Sequence, residues 1–545
     1  MPTLHWIGKE KVQKHHNDVP YRVLEKQYTY GKYEDNTCAD DASRVVSQDN
    51  MIIHGDNLEA LKALLPEYQG KVDCIYIDPP YNTGNEGWVY NDNVNDPHIR
   101  KWLGAVVGKE AEDLTRHDKW LCMMYPRLVL LQKLLSPTGA IFISIDDNEQ
   151  ANLKLICDEI FGAGNFVAQF IWKKRKTQAN LTKYVANGHE YILLYAQSKN
   201  SLRINKLPLR EDYIKKMYRN PDNDSRGLWR MKPLASPDNA PNKEFELDLR
   251  NGRKVTAKWR VSQESYDAWL KDNLIVIPND GQGMPNAKLF LNENEGQIPN
   301  TLLIDIATTE DGSKEIETLF GSNSVFTYPK PYALIQFILP IISNPNALIL
   351  DSFAGSGTTA HAVLNLNKQD GGHRRFILVE MCDYAETITA ERVRRVIDGY
   401  GESNKAVEGT GGSFSFYELG DTIYDPQTGL LNDNADTEQI RRYIWYSETN
   451  TPYHSPLESS TDNAGRHIIP TTHPYLLGRK DGTNYYFYYK CGEETVLDRA
   501  FLNTFTPADQ AEQYIIYADC CRLSREFMQT HHITFKQIPR DIKKV

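Results

Sequence analysis

The stretch Ala347-Leu348-Ile349-Leu350-Asp351-Ser352-Phe353-Ala354-Gly355-Ser356-Gly357-Thr358-Thr359 decides the fold. Four apolar residues in a row read as a strand buried on both faces, as in a parallel sheet. Asp351 to Gly357 is then a tight turn, and Thr358-Thr359 opens a helix running to about Asn367. Glycines at 355 and 357 let the backbone approach a ligand closely at a helix N-terminus. Arg375-Phe376-Ile377-Leu378-Val379 is the next strand and ends at Glu380, 23 residues past Gly357. An acceptor for a ribose hydroxyl usually stands at about that distance, so the unit reads as a nucleotide-type site. A phosphate loop for ATP is excluded, because no lysine follows Gly357. Gly-Ser-Gly-Thr-Thr-Ala formally matches the dinucleotide pattern, so the glycines alone leave a dinucleotide open. Asp351 would repel an anionic pyrophosphate and suits a cationic ligand instead.

A second strand end carries the chemistry. Ile75-Tyr76-Ile77-Asp78-Pro79-Pro80-Tyr81 begins as a short buried strand and stops where two prolines remove the backbone donors that a ladder needs. A carboxylate, a rigid diproline and an aromatic ring thus sit together at the carboxyl end of a strand, where open α/β sheets bind ligands. That cluster suits methylation of an exocyclic amine, whose lone pair is delocalised into its ring. Asp78 accepts one amine hydrogen, the Pro79 carbonyl accepts the other, and Pro80 fixes that carbonyl's direction. Tyr81 offers a face for the base to stack on.

Asp78-Pro79-Pro80-Tyr81 resembles the catalytic motif of amino-methyltransferases, and its Asp form points to adenine N6. Phe353-Ala354-Gly355-Ser356-Gly357 resembles their S-adenosylmethionine motif. The order catalytic motif, basic insert, donor motif resembles the beta class of DNA adenine-N6 methyltransferases. Lys330-Pro331 before the donor strand also fits that class, and within it the length and the segment Gly411 to Gly420 resemble the modification (Mod) subunit of type III restriction-modification systems. The likeness runs from about residue 50 to 420 and is weak beyond.

The resemblance implies S-adenosylmethionine held by Asp351, Phe353, Ala354, Gly355, Ser356, Gly357, Thr358, Glu380, Lys330 and Pro331. It also implies that Asp56 reaches the donor's adenine, although a helix N-cap explains Asp56 equally well. His189-Glu190-Tyr191 and Tyr195 resemble the segment lining the far side of the base pocket. Duplex DNA as substrate, a homodimer, and a restriction (helicase-nuclease) subunit as partner follow from the same likeness. A non-catalytic recognition subunit and an RNA adenine methyltransferase are the rival readings. No metal is expected, since the cysteines and histidines lack ligand spacing.

The fold expectation is α/β: a doubly wound, mostly parallel, Rossmann-like sheet with an inserted recognition domain and a C-terminal α+β module. The divisions are an N-terminal arm at 1–45 without clear periodicity, a catalytic half at 46–196, and the insert at 197–325. A donor-binding half follows at 326–400, then a Gly/Ser/Asn-rich linker, then the last module at 413–545. Helices are expected over Asn57 to Leu65, His117 to Leu135, Ala151 to Phe161 and Pro507 to Tyr517. Phe166 to Trp172 and Glu190 to Ala196 read as a hairpin. The long loop from Asn82 to Arg100 is expected to close on a flipped nucleotide.

Bulk composition agrees with such a protein. Of 545 residues, 40% are hydrophobic and 25% charged. No apolar run is long enough to span a bilayer, and the N-terminus has no signal pattern. Eight scattered cysteines fit reduced thiols and a cytoplasmic location. The net charge of −10 disfavours nucleic acid until its distribution is read. Residues 172–260 hold 21 Lys and Arg against 9 Asp and Glu, a local excess of 12 inside an otherwise acidic chain. Such a block is what a phosphate-binding surface looks like.

Overall fold

A computed structural model describes residues 3–31, 50–83, 116–176, 184–237, 244–402, 405–425, 428–456, 460–461, 467–468 and 473–539. The chain divides into two units, Met1–Arg203 with Asn300–Val545, and Ile204–Pro299.

In chain order the strands begin with β1 Arg22–Gly31, β2 Met51–His54, β3 Val72–Ile77, β4 Leu135–Ile145, β5 Phe166–Lys173 and β6 His189–Ala196. The second unit holds β7 Trp229–Pro233, β8 Glu244–Asp248, β9 Lys254–Lys258, β10 Ile275–Val276 and β11 Asn286–Phe290. The first unit resumes with β12 Leu302–Leu303, β13 Leu348–Asp351, β14 Arg375–Glu380, the hairpin β15 Gly399–Tyr400 and β16 Val407–Glu408, and β17 Ser413–Thr422.

Among the described residues one sheet has the order β1-β17-β2-β14-β13-β3-β4-β6-β5-β12. From β17 to β4 every pairing is parallel. Each of the strands β2, β3, β13 and β14 carries a short apolar run, as strands covered on both faces do, and its central residues are buried. On one side β4, β6 and β5 pair antiparallel, as the hairpin reading anticipated. From β3 the chain crosses to β4 on one side. From β13 it crosses to β14 on the other. The boundary between β3 and β13 is therefore the topological switch point, where a doubly wound sheet opens a crevice at its carboxyl rim.

The helix Asn57–Tyr68 and the 19-residue helix Arg116–Leu134 pack together, with Leu61, Leu64, Leu128 and Leu131 in the main core. Ala151 onward is helical as expected, with an α-helix Gln150–Cys157 continued by a π turn to Gly162.

The sheet reaches further than the periodicity suggests. Within the stretch read as an arm, Arg22–Gly31 is an edge strand pairing antiparallel with β17. As an edge strand it is half exposed and mixed in character, so no apolar run marks it. Its tyrosines lie on β17: Tyr28 stacks on Phe416 with centroids 5.3 Å apart and planes 3° from parallel. Ser413–Thr422, grouped by sequence with the last module, is itself a strand of this sheet and runs parallel to β2.

The remainder of the C-terminal region carries a four-stranded sheet of Leu476–Lys480, Thr483–Phe487, Gln513–Ala518 and Ile533–Gln537. Trp445 is buried in its core beside Tyr443, so these aromatics serve packing. The expected helix from Pro507 to Tyr517 is absent. One 3-10 turn, Pro507–Asp509, is closed by a capping box between Thr506 and Asp509, and the chain then extends as a strand. Ile516 and Ala518 alternate into the core, and that burial outweighs the helix preference of Ala-Glu-Gln.

The second unit is small. β10, β11 and β7 form an antiparallel sheet beside the β8–β9 hairpin, over a core that includes Leu234, Leu247, Trp259 and Tyr266. Several of its cations are paired locally: Arg226 with Asp224, Arg250 with Asp267, and Lys288 with Asp222 and Asp224. Arg203, at the end of the first unit, and Arg210, Lys232, Lys258 and Arg260 are at least partly exposed. No helix among the described residues is long and apolar enough to cross a membrane.

Candidate functional site

The loops after β3 and β13 meet at the switch point. Leu350 lies beside Ile75 in the ladder, so the two strands end at the same rim. One cleft is lined there by Tyr76, Asp78, Lys330, Asp351, Phe353, Ala354, Gly355, Ser356 and Thr358. Thirteen residues line it in all, and they include the Phe326-to-Lys330 approach to the helix Tyr332–Ile338.

On the β3 side, Asp78 is gripped by a lysine. Lys330 Nζ lies 2.9 and 2.8 Å from the two Asp78 oxygens. The same ammonium sits 4.8 Å from the Tyr81 ring centroid and 3.5 Å from Glu190. Tyr81 is almost wholly buried, and its hydroxyl donates to Glu190 at 3.1 Å. Burial first, then the Asp78 charge, push the Tyr81 phenol well above its ordinary value. For Glu190 burial acts upward, but Lys330 and Lys174 outweigh it and hold the carboxyl below its ordinary value. The Pro80 carbonyl accepts the Trp120 indole N–H at 2.6 Å, which fastens the diproline to the core helix. Asn82 follows with a φ of 58° and donates to Glu149, a wholly buried carboxylate that also meets His117. The loop expected to close over the site lies, from residue 84 on, outside the described residues.

On the β13 side, the Asp351 carboxylate accepts from the Phe353 N–H at 3.0 Å and from the Thr359 hydroxyl. Both partners are neutral. Burial pushes its pKa up to about 7, with Asp78 and Glu380 adding in the same direction. Gly355 and Gly357 have φ of 53° and 83°, the region that favours glycine. A Cβ on Gly357 would meet the Thr389 carbonyl at 3.0 Å, so this glycine faces the helix behind the loop. Glu380 closes the back of the turn: its oxygens accept from Gly355 N–H at 2.7 Å and Cys382 N–H at 3.1 Å. Burial raises it, and those N–H groups act against the rise.

Several residues that hold this loop escape the motif reading. The buried Arg392 guanidinium donates to Ser356 Oγ and Thr358 Oγ1, each at 2.8 Å, and lies 3.4 Å from Glu315. Glu315 accepts the Tyr332 N–H at 3.0 Å and is pushed up to about 7 by burial. Asn57 donates to the Ser352 carbonyl at 2.8 Å and is itself held by the buried Arg127. Arg127 carries a sequence signal, a charge inside an apolar helical stretch, whereas Arg392 stands in the charged helix Glu391–Asp398 and carries none.

The site residues named from sequence thus divide. Asp78, Asp351, Phe353, Ala354, Gly355, Ser356, Thr358 and Lys330 line one cleft; Pro79, Pro80 and Tyr81 continue the β3 loop beside it. Gly357, Glu380 and Pro331 stand outside its lining, Pro331 as the N-cap of the helix Tyr332–Ile338. Asp56 caps the helix Asn57–Tyr68 through Leu58 N–H at 2.7 Å and pairs with Arg127 at 3.1 Å. Lys330 spans both loops, because its carbonyl accepts from Thr358 Oγ1 at 3.2 Å while its ammonium reaches Asp78. Tyr195 does not belong to the site. It lies five residues along β6 from Glu190, about 17 Å at strand rise. There its hydroxyl bonds Asp158 in the core.

The chain is 39% identical over 390 residues to the type III restriction-modification enzyme StyLTI Mod subunit of Salmonella typhimurium, covering 68% of this chain and 57% of that protein. It is 32% identical over 430 residues to the EcoPI Mod subunit of Escherichia phage P1, covering 69% and 63%. It is also 32% identical over 361 residues to the type II methyltransferase M.KpnI of Klebsiella pneumoniae, covering 61% and 81%. The chain therefore spans less than two thirds of the two Mod subunits. A family model described as DNA methylase matches residues 72–391, a span that takes in both loops of the cleft and more than half of the chain. This protein belongs to that DNA methylase family.

Proposed function

We propose that this chain transfers a methyl group from S-adenosylmethionine to N6 of adenine in duplex DNA, as the modification subunit of a type III restriction-modification system. The observation that carries the reading is one cleft at the switch point, formed by an amine-accepting carboxylate loop and a glycine loop. The relatives, two type III restriction-modification Mod subunits and a type II methyltransferase, support it.

The residues fit the donor. Asp351 is a buried carboxylate with neutral partners, and a ligand ammonium would supply the charge that makes its ionisation favourable. Gly355 and Gly357 give a turn without side-chain bulk at a helix N-terminus. The donor supplies a methyl group on a sulfonium. Asp78 and the Pro79 carbonyl orient the amine for in-line attack, and Tyr81 and the β3 loop hold the flipped base at a cost of a few kcal/mol for extrusion. Asp78 takes the N–H proton that becomes surplus when the amine nitrogen bonds the methyl carbon and sulfur keeps the electron pair of the bond it loses. The exposed cations of Ile204–Pro299 supply phosphate contacts. A homodimer, a restriction subunit as partner and a cytoplasmic location complete the reading.

The test is methyl incorporation from labelled S-adenosylmethionine into duplex DNA and into RNA, followed by sequencing for modified adenine. Incorporation at adenine in DNA is expected. Incorporation only into RNA transfers the reading to an RNA enzyme, and none into either leaves a recognition subunit.

A further inference from the structure

Lys330 was assigned from sequence to the donor, yet its ammonium lies on the target side. It contacts both oxygens of Asp78 at 2.9 and 2.8 Å and stands 4.8 Å from the Tyr81 ring centroid. A base stacked on Tyr81 while donating an N–H to Asp78 would need that same space. The two occupants exclude each other.

The ammonium has somewhere to go. Glu190 Oε2 is 3.5 Å away and already accepts the Tyr81 hydroxyl, while Glu190 Oε1 holds Lys174 at 3.2 Å. The Lys330 backbone is fixed, with its carbonyl taken by Thr358 and Pro331 capping the next helix, so the movement needed is of the side chain alone. We propose that Lys330 stands in for the target amino group before the base arrives, and that Glu190 receives its ammonium when the base enters. The inference rests on the reading of Asp78 as the acceptor of the target amine.

The arrangement has two physical consequences. Before entry, a partly buried carboxylate is compensated, which avoids an unpaired charge in the site. During transfer, positive charge develops on the amine nitrogen, and an ammonium left on Asp78 would oppose it. Withdrawal to Glu190 removes that opposition without deprotonating the lysine. Glu190 is thus a positioning residue: it holds Tyr81 through its hydroxyl and stores the displaced cation.

The experiment measures single-turnover methyl transfer by the full chain to genomic DNA from a host lacking this protein. It compares wild type, E190Q, K330Q and the double variant, with donor affinity measured by equilibrium dialysis. E190Q strands the ammonium on Asp78 and is expected to slow transfer about 100-fold, within the range for a disturbed acid–base site. The double variant is expected to recover at least about tenfold of that loss, and donor affinity to stay within about threefold throughout. A double variant as slow as E190Q, or slower, overturns the proposal, because a merely structural Glu190 predicts no rescue. Should E190Q fail to fold, K330Q alone decides. Removal of the competitor lowers KM for DNA, measured by steady-state titration of the same DNA, whereas an unchanged or raised KM refutes the stand-in role. Wild type that transfers nothing to DNA or RNA overturns the underlying function instead, and is read from the same plate.

Discussion

The two loops of the cleft carry carboxylates in opposite electrical situations. Asp78 has a cation within 2.8 Å. Asp351, on the other side, is bonded to a hydroxyl and an N–H, and burial has pushed it up to about 7. The difference teaches how each half treats its ligand. The β3 loop has its counter-charge built in, and under the proposed function exchanges it for a neutral amine. The glycine loop has none among its two hydrogen-bond partners, and under the same proposal takes it from the ligand. A compensated carboxylate favours selection by displacement, and an uncompensated one favours affinity for cations.

The sharpest way to break this contrast is D78A. Methyl transfer should fall by about 10²–10⁴-fold, the range for losing a positioned acid–base group, while donor affinity stays near wild type. Loss of both together would mean that the two loops are one electrostatic unit. D351N comes next. It should weaken the donor by about tenfold or more, since a charge-assisted contact becomes a neutral one. The pH dependence sharpens it further. With Asp351 pushed up to about 7, its ionised fraction grows from pH 6 to pH 8, and a cation prefers the ionised form, so wild-type donor affinity should rise across that range. In D351N the slope should flatten. Calorimetric titrations at both pH values check this, and an unchanged slope assigns the titration elsewhere, with Glu315 the first suspect.

Smaller effects test the scaffolds. G357A forces a Cβ against the Thr389 carbonyl in a left-handed conformation, costing about 1–3 kcal/mol of stability by thermal melting. A melting point equal to wild type would show that the turn relaxes freely. W120F removes the indole N–H from the Pro80 carbonyl and should cost about 1 kcal/mol, with a modest drop in kcat and no change in donor affinity. A donor-affinity loss in W120F would show that this anchor serves both loops.

Much of the site was legible because its chemistry sits in short contiguous motifs at strand ends. Apolar runs such as Leu348-Ile349-Leu350 announce parallel strands, and diproline and glycine punctuate them. What was not legible is set by partners far away in sequence. Lys330 reads as a neighbour of the glycine loop, and only the fold brings its side chain 252 positions back to Asp78. Arg392 and Arg127 look like surface charges on helices until burial is known. Tyr195 shares a strand with Glu190, but antiparallel direction carries it to the opposite rim. The edge strand β1 lacks an apolar run because only one side of it meets a neighbour.

The position of β2 has a consequence for biogenesis. Both strands that flank it, β14 and β17, are synthesised more than 300 residues later. Until the ribosome has passed Glu418, the apolar ribbon Met51-Ile52-Ile53 has at least one naked hydrogen-bonding edge. Contacts of such separation make assembly slow and expose nascent chains to mispairing. Prematurely terminated products should therefore be sticky, and a holdase that shields bare ribbons would raise the yield of the intact chain.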